Sequence, residues 1–266
     1  MNKAFIAVIT AAAAMASAAV SCGKKENSTP APESTPTTET VSEADTTEWE
    51  MDEWDAEHRE DMKLKAEEGI DITSQPFPEC GEIPDDWQEI SYEDVSMRIP
   101  PDLTESDFGL SYVKAYYTDE DGFSTAYIVE KMEARSGFFN DFSFPELTEE
   151  VVKDSFADLG IDYDGSRLSM FKSALSLTSA LRTDDNEISF ENAGLAKEIL
   201  LSDNSEVYYR QINGHDVYFL KDGKGRDGYW SFDIEIFVDD NSYYSAEVIG
   251  GTLEEALMMC STIDIK

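Results

Sequence analysis

Apolar and polar positions alternate most clearly over Tyr229 to Val238. Phe232, Ile234, Ile236 and Val238 share one side there, and Asp233 and Glu235 the other. A period of two predicts a strand with one face buried. Ser242 to Ile249 pairs with it across Asp239-Asp240-Asn241. Glu206 to Ile212 and His215 to Leu220 flank Asn213-Gly214, the strongest hairpin signal in the chain, because both residues tolerate the positive φ a tight turn needs. Upstream, Asp94 to Ile99 reads as a strand halted by Pro100-Pro101. Ser111 to Thr118 and Phe123 to Met132 read as two more, joined by the turn Asp119-Glu120-Asp121-Gly122.

Helical spacing appears between and after these strands. Thr148 caps a helix to about Leu159 whose apolar face is Val151, Val152, Phe156 and Leu159. A second runs from Arg167 to Leu181 with Leu168, Phe171, Leu175 and Leu181 on one side. Thr252 caps a third with Leu253, Ala256, Leu257 and Cys260 facing inward, and Ile263 to Ile265 forms a closing strand. An antiparallel meander with helices packed on it is an α+β architecture. A further helix, about Glu48 to Glu68, opens on a capping box of Thr47 and Glu50 and stops at Gly69. Its narrow stripe of Met51, Trp54, His58 and Met62 either docks on the domain or takes a partner.

The first residues have a different pattern. Lys3 precedes an uncharged, alanine-rich run from Ala4 to Val20, shorter than the about 20 apolar residues that span a bilayer. It has the dimensions of a cleavable export signal. The run ends in Ala19-Val20-Ser21-Cys22, which resembles the lipobox of bacterial lipoproteins, with Ala19 where that family most often has leucine. The resemblance implies cleavage before Cys22 and acylation of its thiol. A diacyl anchor holds stably where a single chain is marginal. Glu26 to about Thr47 is Ser, Thr, Pro and Glu with almost nothing to bury, so it predicts a disordered stalk. The organisation is thus a signal peptide (1–21), a lipidated linker (22–47), an acidic helical segment (48–84) and an α+β domain (85–266).

Charge narrows the partners. With 57 acidic and 20 basic side chains the net charge is −37, which repels nucleic acid and an anionic bilayer alike. The membrane is therefore approached through the lipid, and envelope proteins or glycans remain as partners. Three cysteines occur. With Cys22 taken by lipid, Cys80 and Cys260 either form a disulfide, which export permits, or Cys260 is a buried thiol on an apolar helix face.

Chemistry-bearing motifs are incomplete. Ser169-Met170-Phe171-Lys172, Ser202-Asp203-Asn204 and Lys221-Asp222-Gly223 follow the order of a penicillin-binding site, but they lie too close together and the third lacks its threonine. Calcium-type loops around Gly165 and Gly122 fail at their end positions. Two histidines, His58 and His215, are too few for a zinc site, and no metal or cofactor is expected. Asp233, Glu235 and Glu247 on neighbouring strands are a carboxylate set that an envelope hydrolase could use. The aromatic pairs Tyr116-Tyr117, Tyr208-Tyr209, Tyr229-Trp230 and Tyr243-Tyr244 each send one ring away from the main core. Those rings either form a binding platform for glycan or peptide, or pack beneath helices.

The early strand breaking at a proline (Val95-Ser96-Met97-Arg98-Ile99-Pro100), the long meander and the end helix with its short strand (Thr252 to Lys266) are similar to the Mog1/PsbP-like domains of small exported lipoproteins. That resemblance implies an interaction module without a fixed active site. The sequence reading is therefore a lipid-anchored, non-enzymatic binding module at the extracytoplasmic face. An envelope hydrolase and a structural subunit of an envelope complex are the alternatives.

Overall fold

The Asn213-Gly214 turn forms as its residues dictate. Both take positive φ, 51° and 91°, and they join β8 (Asn204–Ile212) to β9 (His215–Asp222) with Ile212 opposite His215. The computed structural model describes residues 53–106, 111–118, 124–134, 144–201, 204–222 and 228–266. The signal segment, Cys22, the linker, the 119–122 turn, Ser202-Asp203 and Gly223 lie outside them. Residues 50–266 make up one compact unit.

The fold is α+β, with a large, mainly antiparallel sheet and helices packed on it. Its strands are β1 (Ser74–Pro76), β4 (Thr104–Ser106), β5 (Val113–Tyr117), β6 (Thr125–Val129), β7 (Met132–Glu133), β8, β9, β10 (Trp230–Phe237) and β11 (Ser242–Gly250). They lie in the order β1-β8-β9-β10-β11-β6-β5-β4, with β7 also on β11. β1 runs parallel to β8 and the other pairs are antiparallel. A second sheet has the order β12-β3-β2, from β12 (Asp264–Ile265), β3 (Val95–Ile99) and β2 (Gln88–Tyr92).

Two cores sandwich the large sheet. On one face Phe232, Ile234 and Ile236 meet Val95, Met97 and Ile99 of the small sheet. Ala256, Met259 and Cys260 join them from the helix α5 (Leu253–Ser261). On the other face Val207, Tyr218, Leu220 and Phe237 lie beneath helices α2 (Glu149–Asp158), α3 (Arg167–Ser176) and α4 (Glu187–Leu201). The caps are those the sequence supplies: Thr148 Oγ1 accepts from Val151 N at 3.3 Å, and Thr252 Oγ1 from Glu255 N at 3.1 Å. Between β11 and α5 the backbone passes close to itself. A Cβ on Gly250 would stand 2.7 Å from Ala256 N, so only glycine fits.

The described part of the expected 48–84 segment, residues 53–84, is built into this unit. Helix α1 (Glu53–Glu68) packs on α4, with Met62 half-buried and Ala66 and Ile70 in the core. Met51 lies outside the described residues. Arg59 pairs with Glu146 and stacks 4.9 Å over the Phe144 ring. β1 then adds an edge strand. The helix that the sequence reading missed, α4, enters the core through Phe190 and is buried on nearly all sides from Ala193 to Leu201. The helix expected to run on to Leu181 ends at Ser176, and a 3₁₀ turn at Ser179–Leu181 follows.

Candidate functional site

The aromatic pairs do split across the sheet, but each side is covered. Tyr243 enters the helix-side core and Tyr244 the opposite one, and both are buried, as is Tyr116. Tyr117, Tyr208, Tyr209, Tyr229 and Trp230 are half-buried. The Tyr209 hydroxyl donates to Asp216 at 2.6 Å, that of Tyr208 donates to Glu206, and the Lys221 ammonium lies 5.1 Å from the Trp230 ring centre. Tyr116, Tyr243 and Tyr244 are thus packed in the cores, and the other five rings keep part of their surface in solvent. Tyr209 packs against the helix-side core and Tyr208 and Trp230 against the opposite one, while Tyr117 and Tyr229 belong to neither.

The three acids named from the sequence do come together. Asp233 and Glu247 are direct partners across β10 and β11, and Glu235 stands two residues along on the same face. Ser231 Oγ donates to Glu247 at 3.0 Å. Tyr127 lies opposite Glu247 on β6, and its phenol is pushed well up in pKa by burial and then by the Glu247 charge. Glu235 accepts from Arg167 Nη2 at 3.1 Å, and the guanidinium lies 4.3 Å above the Tyr243 ring and 5.6 Å from that of Phe171. Burial pushes the Glu235 carboxyl up and the Arg167 charge opposes it.

A carboxylic acid with a raised pKa is what general-acid chemistry requires. Access decides otherwise for this one. Glu235 is 8% and Glu247 6% exposed. Helix α3 begins directly over Glu235, with Leu168 N donating to Asp240 O and Arg167 N to the Asn241 side chain. Glu235 is thus sealed under an ion pair, while Asp233 faces solvent.

Other chemistry-bearing fragments are occupied locally. Ser169 Oγ accepts from Asp164 N at 3.0 Å, and Lys172 pairs with Asp216 at 2.9 Å, so serine and lysine serve different partners. Asp164 accepts from Ser166 N at 2.8 Å in a local turn that leads into α3. His215 Nδ1 lies 3.1 Å from Phe237 O. Among the described residues, no three His, Cys, Asp or Glu side chains gather where a metal ion could be held. No helix among them is long and apolar enough to cross a membrane.

An open hollow of about 380 Å³ lies where the 77–87 stretch passes the first turns of α5. Leu253 and Leu257 form its apolar part, and Glu79, Cys80, Gly81 and Glu254 complete it. Glu79 and Glu254 are exposed, and Glu254 Oε1 lies over the Cα of Gly81, 3.6 Å from where a Cβ would be. Cys80 Sγ donates to Leu257 O at 3.4 Å and Pro78 O at 3.6 Å. Cys260 lies behind, fully buried, and both thiols are free. Arg210 supports this corner. Its Nη2 donates to Cys260 O at 3.2 Å and Ile263 O at 3.1 Å, and its guanidinium stacks 5.0 Å from the Phe77 ring and 5.4 Å from that of Phe219. The sequence reading left Cys80 and Cys260 open between a disulfide and a buried thiol at Cys260, and here both are free thiols. It offered no sign that Glu79 and Glu254 share a hollow, since the two are brought together only by the fold.

No protein-family profile and no curated protein matches the chain. Among solved structures, a crystal structure at 1.50 Å resolution from Bacteroides thetaiotaomicron VPI-5482 is similar over 65% of this chain and 45% of its own, with 12% identity and a TM-score of 0.29. The chain thus spans under half the length of that structure, and a likeness at this level carries no argument about function.

Proposed function

We propose that the chain is a lipoprotein of the cell envelope, held by acylated Cys22, whose folded unit is a non-enzymatic module that binds cationic segments of other envelope proteins. The hollow beside Cys80 carries this reading. It joins an apolar wall, Leu253 and Leu257, to two exposed carboxylates, Glu79 and Glu254. A lysine or arginine side chain has the matching shape, an apolar stem with a cationic head. The net charge of −37 favours the encounter with such a partner over a long range. The amino-terminal pattern of charge, apolar run and small residues before Cys22 supports the location.

Two measurements test it. Mass spectrometry of the native protein should find chain beginning at a diacylated Cys22, and an unmodified Met1 start would overturn the location. Titration calorimetry of the full chain with a short peptide alternating lysine and leucine should give weak, salt-sensitive binding. The E79Q/E254Q variant should lose it about tenfold or more, and unchanged affinity in that variant would overturn the site.

A further inference from the structure

We propose that Cys80 and Cys260 form an intramolecular disulfide when the protein meets an external disulfide oxidant, fastening the 77–87 stretch to the carboxy-terminal helix. The inference rests on the envelope reading only for where the oxidant is met, since disulfides persist outside the cytoplasm.

The geometry comes from one turn of α5. Cys80 Sγ lies 3.4 Å from Leu257 O. In an α-helix the carbonyl of residue 257 points along the axis toward residues 260 and 261. The Cys80 sulfur therefore sits on the turn that carries Cys260. Bridged cysteines have Cβ atoms about 3.5–4.5 Å apart, a spacing that suits two side chains on facing elements. A thiol is a weak hydrogen-bond donor, so releasing the bond to Leu257 O costs little. The Arg210 guanidinium is held at Cys260 O, and its charge acts on both sulfurs.

The two thiols have unequal roles. Cys80 is half-exposed and can meet an oxidant, whereas Cys260 is fully buried. Cys80 loses its proton and its thiolate attacks one sulfur of an external disulfide, such as oxidised glutathione. The external S–S bond breaks, one thiolate leaves, and a mixed disulfide remains on Cys80. Cys260 then gives up its proton and attacks the Cys80 sulfur, expelling the second thiolate. Two protein thiols are oxidised, one external disulfide is reduced to two thiols, and the leaving thiolates take up the two protons.

The test uses the full chain, purified and equilibrated with oxidised glutathione, so its result does not depend on where the protein resides in the cell. Digestion without reduction should yield one cross-linked product joining the peptides that contain Cys80 and Cys260. The thermal midpoint should lie about 5–10 °C above that of the dithiothreitol-treated protein. C80S, at a half-exposed position, should fold and show no such difference. A Cys80 that stops at its glutathione adduct, or two thiols that both accept iodoacetamide after denaturation, would overturn the proposal. Failure of lipidation at Cys22 would instead overturn only the location.

Discussion

Arg167 and Glu235 meet at 3.1 Å inside the unit, the arginine from the first turn of α3 and the glutamate from the middle of β10. Neither ion is solvated, and the Tyr243 and Phe171 rings border the guanidinium. A buried pair of this kind costs little to replace as a unit and much to break.

Removing one member should therefore unfold the protein more readily than removing both. We expect E235L to lose about 3–5 kcal/mol in urea unfolding, because it strands the arginine charge. R167M/E235L should recover most of that loss. A double variant as weak as the single would show that the pair contributes net stability.

Lys197 gives a pH dependence of known sign. It is 2% exposed, and its ammonium donates to Ile70 O and Ile72 O at 2.7 Å and Leu177 O at 2.8 Å, tying the end of α1 and the end of α3 to α4. Burial lowers its pKa from 10.5 to about 8, against the nearby Asp71 charge. Between those values the unfolded chain holds the proton more often than the folded one, so this term makes stability rise with pH. Urea unfolding from pH 7.5 to 9.5 should show that rise in the native chain, and K197M should flatten it.

Tyrosines reverse the trend above pH 10. Burial, ahead of neighbouring carboxylates, raises Tyr163, Tyr208, Tyr209 and Tyr244 from 10.0 to about 12. The unfolded chain ionises first, and stability falls as pH passes through this window. The alkaline optimum should lie near pH 9–10, and removing one hydroxyl, as in Y163F, should soften the decline beyond it.

Asn213 links a turn to the far end of the chain. Its side-chain amide donates to Ile265 O at 2.7 Å and Asp264 Oδ1 at 3.0 Å, while its backbone holds φ 51°. N213A loses both bonds and meets strain at positive φ, so about 1–3 kcal/mol of destabilisation is expected by thermal unfolding. N213G keeps the turn and should cost less.

How far the sequence could be read follows from where its periodicity survives. β10 shows the period because Asp233 stands exposed between Phe232 and Ile234, whereas β9 and β11 are buried on both faces and were found through their β-rich apolar runs and the turn residues at their ends. Helix α4 escaped because charge and burial disagree along it: Lys197 and Glu198 are buried while Ile188 is exposed, which blurs the apolar period. β1, β2 and β4 are short, and β1 contains Pro76, so only their partners make them strands. The pairing of Asp233 with Glu247 was legible from strand register. That Arg167 would cover Glu235 was not, since it depends on α3 docking against the β10–β11 turn. The aromatic pairs pointed to opposite faces as alternation requires, but alternation says nothing about what lies above each face.

The pairing of β12 with β3 sets an order of events during synthesis. Val95 faces Ile265 and Ser96 faces Asp264, so β3, translated early, gains its second neighbour only when the chain has been made almost to Lys266. Until β12 is made, the small sheet is a two-stranded hairpin of β2 and β3, and the second edge of β3 waits for a strand from 165 or more residues further along the chain.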